Sequence, residues 1–120
     1  MVHVRRKIGD RGEEIAAAFL RLNGFHIVDR NWRCRTGEID LIVEKDGDWR
    51  FVEVKTRTNG VYGDPAEAVT ATKIRRLRLT VEAWLAAAKQ LPKRYQMDVL
   101  AIMSKPGTKP EIRWIEGVGD

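Results

Sequence analysis

Asp40, Glu53 and Lys55 form the pattern D-x12-E-x-K. Two carboxylates can hold a hard, oxygen-seeking cation such as Mg²⁺ or Mn²⁺, and Mg²⁺ keeps several waters, leaving room for a phosphate. A lysine two residues from the second acid adds a fixed positive charge for the phosphate. Acids and lysines are common, so such a match arises by chance roughly 0.1–0.2 times in a chain of this kind. Spacing alone is therefore weak evidence, and what decides is where the strands put these residues. Other chemistry has less support. Cys34 is the only cysteine, which excludes a disulfide framework and a multi-cysteine zinc cage; its neighbours Arg33 and Arg35 favour a lowered thiol pKa, with no second catalytic signature beside it. His3 and His26 lack a partner at i, i+4 spacing, and no G-x-x-x-x-G-K-[ST] phosphate loop occurs.

Asp46-Gly47 suits a type I′ hairpin turn, whose two central residues both need positive φ. A turn centred there pairs residues whose numbers sum to 93. Asp40 then meets Glu53, and Glu38 meets Lys55. Strand alternation puts all four on one face, with Ile39, Leu41, Val43, Val52 and Val54 on the other as core. Like charges directly opposed destabilise a strand pair, so Asp40 and Glu53 need relief. Lys55 supplies some of it in a salt-bridged ribbon, and a divalent cation supplies more; both arrangements use the same residues.

The elements around the hairpin follow from caps and periodicity. D-R-G-E places an N-cap at Asp10 three residues before Glu13, and Ile15, Ala18, Phe19 and Leu22 continue at helical spacing to the stop at Asn23-Gly24. Glu13 has a sufficient purpose as the N3 member of a capping box, yet it also borders the apolar stripe beside Leu20, where it could reach a site above a sheet. Residues 25–29 read as a short strand and RNWRCRTG as a loop. The strands GEIDLIVEK and DWRFVEVKTR flank the hairpin turn. TNGVYGDPAEAV reads as loop and a new cap (Asp64 N-cap, Pro65 N1, Glu67 N3). A helix follows over 70–90 with a core stripe of Ile74, Leu77, Val81, Trp84, Leu85 and Ala88. YQMDVLAIM and EIRWIEG are the last strands, the second at an edge. Asp98, between Met97 and Val99, suits a structural partner, either a loop amide or an arginine. The order is α-β-β-β-α-β-β, an α/β domain occupying residues 1–120.

Length and composition agree with one domain: 120 residues, 43% apolar and 32% charged. No run of about 20 apolar residues suits a membrane span. MVHVRRKIGD lacks the apolar region of a secretory signal, so a cytoplasmic setting is expected. The net charge of +5 conceals segregation. Residues 1–35 carry +4, residues 36–72 carry −4, residues 73–94 carry +6 and residues 95–120 carry −1. Solvated helix faces would account for such clustering, and a polyanion partner would too.

G12-E13, G24-F25 with R30-N31, G37-E38-I39-D40-L41-I42, F51-V52-E53-V54-K55-T56-R57, Y62-G63, K73 and M97-D98-V99 together resemble the YraN-like family. These are small bacterial proteins similar to archaeal Holliday-junction resolvases, within the PD-(D/E)XK nuclease superfamily. The resemblance covers about residues 8–103, leaving a C-terminal edge strand and tail at 104–120. It implies a restriction-endonuclease-like three-layer fold with a mixed central β-sheet, and a metal-dependent endonuclease acting on structured or branched DNA. Asp40 and Glu53 would then be metal-binding carboxylates, with the Val54 carbonyl as a further ligand and Mg²⁺ or Mn²⁺ as cofactor. Lys55 would orient water or stabilise phosphate charge, and Glu13 matches an acid that resolvase-like members add from the first helix. Ile39 stands where the superfamily name has proline. On this reading the basic flanks offer phosphate contacts: Arg5, Arg6, Lys7, Arg33, Arg35, Arg57, Lys73, Arg75, Arg76 and Arg78. Trp32 and Trp49 could stack on unpaired bases or simply pack. The resemblance favours DNA over RNA as partner and suggests a homodimer. The alternative is a nucleic-acid-binding or protein-interaction module that keeps the fold without appreciable catalysis.

Overall fold

The structure, a computed structural model, describes residues 4–57, 69–89 and 91–119, with side chains described from residue 11 onward. Its elements are α1 (Val4–Leu22), β1 (His26–Cys34), β2 (Gly37–Lys45), β3 (Asp48–Arg57), α2 (Ala71–Ala87), β4 (Tyr95–Met103) and β5 (Glu111–Ile115). This is the order read from the sequence. The five strands form one sheet in sequence order, β1-β2-β3-β4-β5. Only β3 and β4 run parallel, joined through α2; the other neighbours are antiparallel. Among the described residues, no helix is long and apolar enough to cross a membrane.

At α1 and β1 the boundaries differ from expectation, each for a local reason. α1 begins at Val4, so Asp10 lies inside the helix and is not its N-cap. The Arg- and Lys-rich start contains good helix formers and no proline to stop them. At its other end, Gly24 (φ 88°) closes the helix as expected. Phe25 N–H donates to Leu20 O at 3.0 Å and Gly24 N–H to Arg21 O at 2.9 Å, the two bonds of a Schellman motif. β1 runs to Cys34, so most of the segment read as loop is strand. It is an edge strand, which accounts for its polar composition. An irregularity between Ile27 and Asp29 bends it, and Asn31 adopts φ 50°, a conformation asparagine tolerates better than most residues.

The hairpin is as read: Asp46 and Gly47 have φ 49° and 83°. Thr70 caps α2, its hydroxyl accepting from Lys73 N–H. The helix ends at Ala87, where Ala88 is extended, three residues before the expected stop. The proposed cap at Asp64, Pro65 and Glu67 lies outside the described residues.

The core has two halves, one on each face of the sheet. On one face Ala16, Ala17 and Leu20 of α1 pack with Leu41, Val43, Val52, Leu100 and Ile102. On the other, Leu77, Val81 and Trp84 of α2 pack with Ile42, Phe51, Met97 and Val99. Ile74, Leu85 and Ala88 lie against this second cluster, so the whole expected α2 stripe faces the sheet. A helix therefore covers each face, and β2 and β3 pass between the two.

Candidate metal centre

The β2–β3 ladder runs from Lys45–Asp48 to Leu41–Val52, every pair summing to 93. Beyond Leu41 it gives way. Asp40 Oδ2 accepts the N–H of Val54 at 2.7 Å, so a side chain occupies the place of a backbone acceptor. In an antiparallel pair one residue directs its N–H and C=O toward the same neighbour. The Val54 carbonyl therefore also lies on the β2 side, in the gap that Asp40 enters.

This turn of Asp40 into the gap revises the expected faces. Ile39 packs with the α2 cluster, whereas Leu41 and Val43 pack with the α1 cluster. Alternation along β2 is interrupted at Asp40. Glu38 and Asp40 thus do not share one regular face with Glu53 and Lys55, as uninterrupted pairing required.

Glu13 arrives from α1. Carboxylate oxygens of Glu13, Glu38 and Asp40 all lie within 4.8 Å of one another. With α1 starting at Val4, a first-turn capping box no longer explains Glu13. Glu38 was not singled out as a ligand from the sequence, although its i, i+2 relation to Asp40 was visible there. Crowding shows in the chemistry of Asp40. Its pKa is raised from 3.8 to about 7, first by loss of hydration and then by Glu13, Glu38 and Glu53. The Val54 N–H opposes the shift without cancelling it.

Beside this group lies a cavity of about 380 Å³ lined by Gly37, Glu38, Asp40, Glu53, Val54 and Lys55 from the sheet, with Lys73, Arg76, Leu77 and Thr80 from α2. Asp40 belongs to both arrays: it joins Glu13 and Glu38, and it forms part of the cavity wall with Glu53. Lys55 Nζ is 3.2 Å from Glu53 Oε1, so β3 presents its acid and base as a pair. Glu53 falls outside the tight carboxylate group, although it still acts on the charge of Asp40.

The basic candidates divide by position. Lys73 and Arg76 line the cavity, and Arg75 is exposed outside its lining. Arg33, opposite Glu38 in the β1–β2 register, lies 3.4 Å from its carboxylate. Arg35 is exposed on the β1–β2 turn. That turn is tied to α2 by Thr36 and Thr80, whose hydroxyls are 3.1 Å apart. Arg57 donates to the Thr56 carbonyl, and the Arg78 guanidinium donates to the Gly119 carbonyl. The side chains of Arg5, Arg6 and Lys7 lie outside the described residues. Both tryptophans pack: Trp49 lies 5.7 Å from the Trp84 ring, and Trp32 rests on the α2 cluster. Cys34 has its lowered pKa, the first cause being a hydrogen bond with Thr36 and not the adjacent arginines.

Comparison with known proteins agrees with the resemblance in the motifs. The pattern of the uncharacterised protein family UPF0102, the YraN family, matches residues 12–102. A UPF0102 protein of Rhodococcus opacus (strain B4) is 49% identical over 109 residues, covering 90% of this chain and 92% of that protein. One from Nocardia farcinica (strain IFM 10152) is 45% identical over 114 residues, covering 95% and 90%. Another, from Leifsonia xyli subsp. xyli (strain CTCB07), is 38% identical over 112 residues, covering 93% and 95%.

Proposed function

The chain belongs to the uncharacterised protein family UPF0102, and from that footing we propose that it is a divalent-cation-dependent endonuclease that hydrolyses phosphodiester bonds in structured or branched DNA. The observation that carries this reading is Asp40. It is fixed by the Val54 N–H among other acids, and it also stands in the wall of a cavity that holds Lys55, Lys73 and Arg76. A site built only for stability has no use for a carboxyl made this hard to ionise. The element order, with a helix on each face of a mixed sheet, supports the restriction-endonuclease-like reading.

The donor set fits Mg²⁺ or Mn²⁺. Two oxygens on opposite sides of one Mg²⁺ are about 4.2 Å apart. Carboxylate oxygens within 4.8 Å of one another therefore need only small side-chain adjustments. Asp40, Glu38 and Glu13 would hold the ion, with the Val54 carbonyl and Glu53 beside it. A cation so held would polarise the phosphoryl group and make a bound water more acidic.

The remaining work falls to the chain's own residues. Lys55 stands on a strand that is hydrogen-bonded to β4 along its length, so its charge is held in place for the phosphoryl oxygens. Glu53 keeps that ammonium oriented and is itself placed to accept a proton from water in the cavity. Lys73 and Arg76 face these groups from α2 and neutralise the incoming phosphate, which the acids alone would repel. Arg33 at the end of β1 and Arg35 on the turn after it extend the positive surface.

The test is cleavage of linear, flapped and four-way DNA with Mg²⁺ or Mn²⁺, beside Asp40→Ala, Lys55→Ala and chelator controls. Loss of activity in all three controls is expected. Equal cleavage by wild type and Asp40→Ala would sink the assignment. Cation-stimulated binding without cleavage of any substrate would point to the non-catalytic module.

A further inference from the structure

α1 carries Gly12 in its interior, where glycine weakens a helix, and the residue is buried. A Cβ built there would overlap the Thr56 hydroxyl, and would come within 3.1 Å of Thr56 Cβ and 3.2 Å of its Cγ2. The helix backbone at Gly12 therefore packs directly against the Thr56 side chain of β3, in space that a Cβ would need. Gly12, Ala16 and Leu20 form a buried row at i, i+4, i+8 on the sheet-facing side. Side-chain size grows along that row, with the glycine at the end that meets Thr56.

That end is where the carboxylates meet. Thr56 is two residues beyond Val54, whose N–H fixes Asp40. Glu13 directly follows Gly12, and its carboxylate reaches within 4.8 Å of those of Glu38 and Asp40. A glutamate side chain has a fixed length. How far the helix stands from the strand thus decides whether Glu13 joins the group.

We propose that Gly12 is the positioning residue for Glu13: its missing side chain sets the α1–β3 approach that brings the helical carboxylate to Asp40 and Glu38. The proposal rests on reading that group as a divalent-cation site and adds what makes the site three-sided. Gly12 acts only through Glu13 and touches no ligand itself.

Mn²⁺ binding to the metal-free protein, followed by the paramagnetic resonance signal of free Mn²⁺, is the readout, with thermal unfolding measured alongside. Gly12→Ala is expected to weaken Mn²⁺ binding about tenfold, as Glu13→Gln does. Gly12→Ala/Thr56→Ala, which clears most of the overlap, recovers most of that loss. Leu20→Ala, in the same row but away from the carboxylates, lowers the melting temperature and leaves Mn²⁺ affinity unchanged. If Gly12→Ala behaves like Leu20→Ala, less stable with unaltered Mn²⁺ affinity, Gly12 is structural only and the proposal is overturned. Should Gly12→Ala not fold, Thr56→Ile thickens the same contact from the strand side, with the same expected and overturning results. Absence of Mn²⁺ binding by the wild type would instead defeat the cation reading itself, an outcome seen before any variant is compared.

Discussion

Asp40 is costly to ionise where it stands, and the sign of that cost can be tested. Its pKa is about 7 in the folded chain, raised chiefly by lost hydration and then by neighbouring acids. In the unfolded chain it returns to an ordinary value near 3.8. Between these values the folded state binds a proton that the unfolded state has lost, so stability falls as pH rises. This contribution is fully present below about pH 4 and gone above about pH 7, a span worth roughly 4 kcal/mol at most. A bound cation needs the deprotonated form and offsets the same repulsion. Wild type in chelator should therefore lose melting temperature relative to Asp40→Asn from pH 4 to pH 7, and Mn²⁺ should raise the wild-type value more at pH 8 than at pH 5. A wild-type minus Asp40→Asn difference that stays flat across that range would show that Asp40 does not carry the burden assigned to it.

At the scale of elements, a second buried carboxylate does the opposite work. Asp98 on β4 is fully buried, yet every neighbour answers it: Arg50 of β3, Trp114 Nε1 of β5, Gln96 Nε2, and the Gly117 N–H of the turn after β5. Arg50 also reaches Asp48 and Glu116, and stacks near the Phe25 and Trp114 rings. Asp98→Ala leaves the Trp114 indole N–H and the Gly117 N–H without their acceptor, while Arg50 keeps Asp48 and Glu116, so a loss of about 3 kcal/mol is expected in urea unfolding, with Mn²⁺ affinity intact. A loss below about 1 kcal/mol, the range of surface pairs, would mean the brace is dispensable. Asp98 was legible in the sequence because an acid between apolar strand residues must find a donor. The hairpin and the α2 stripe were legible for similar reasons, since turn chemistry and periodicity are local. What escaped was set by contacts between distant segments. The second half of β1, from Arg30 to Cys34, read as loop because an edge strand needs little apolar sequence, and the break at Asp40 was hidden because alternation assumes that pairing continues. Glu38 was visible but seemed matched to Lys55; only the turn of Asp40 into the strand gap and the close approach of α1 put it among acids.

Over the whole molecule, charge segregated along the chain is regrouped by the fold. The acidic stretch at 36–72 supplies β2 and β3, and the basic stretch at 73–94 is largely α2. Packing α2 across the face of that hairpin sets Lys73 and Arg76 opposite Glu38, Asp40 and Glu53 around one cavity. On the proposed function a polyanion would be held on the α2 side, while Glu13 approaches from α1. A net charge of +5 spread evenly would bind phosphate weakly everywhere. Concentrating it on one wall makes the contacts countable, because each neutralised phosphate adds about 0.9 to the slope of log affinity against log salt. Lys73→Ala/Arg76→Ala should reduce that slope by roughly 2, measured by DNA-binding anisotropy across a salt series with Ca²⁺ present. Arg75→Ala, one residue away along the helix but outside the cavity lining, should change it by less than either cavity residue. Equal slopes for wild type and the double variant would place the nucleic-acid surface elsewhere, even if the carboxylates bind their cation as argued.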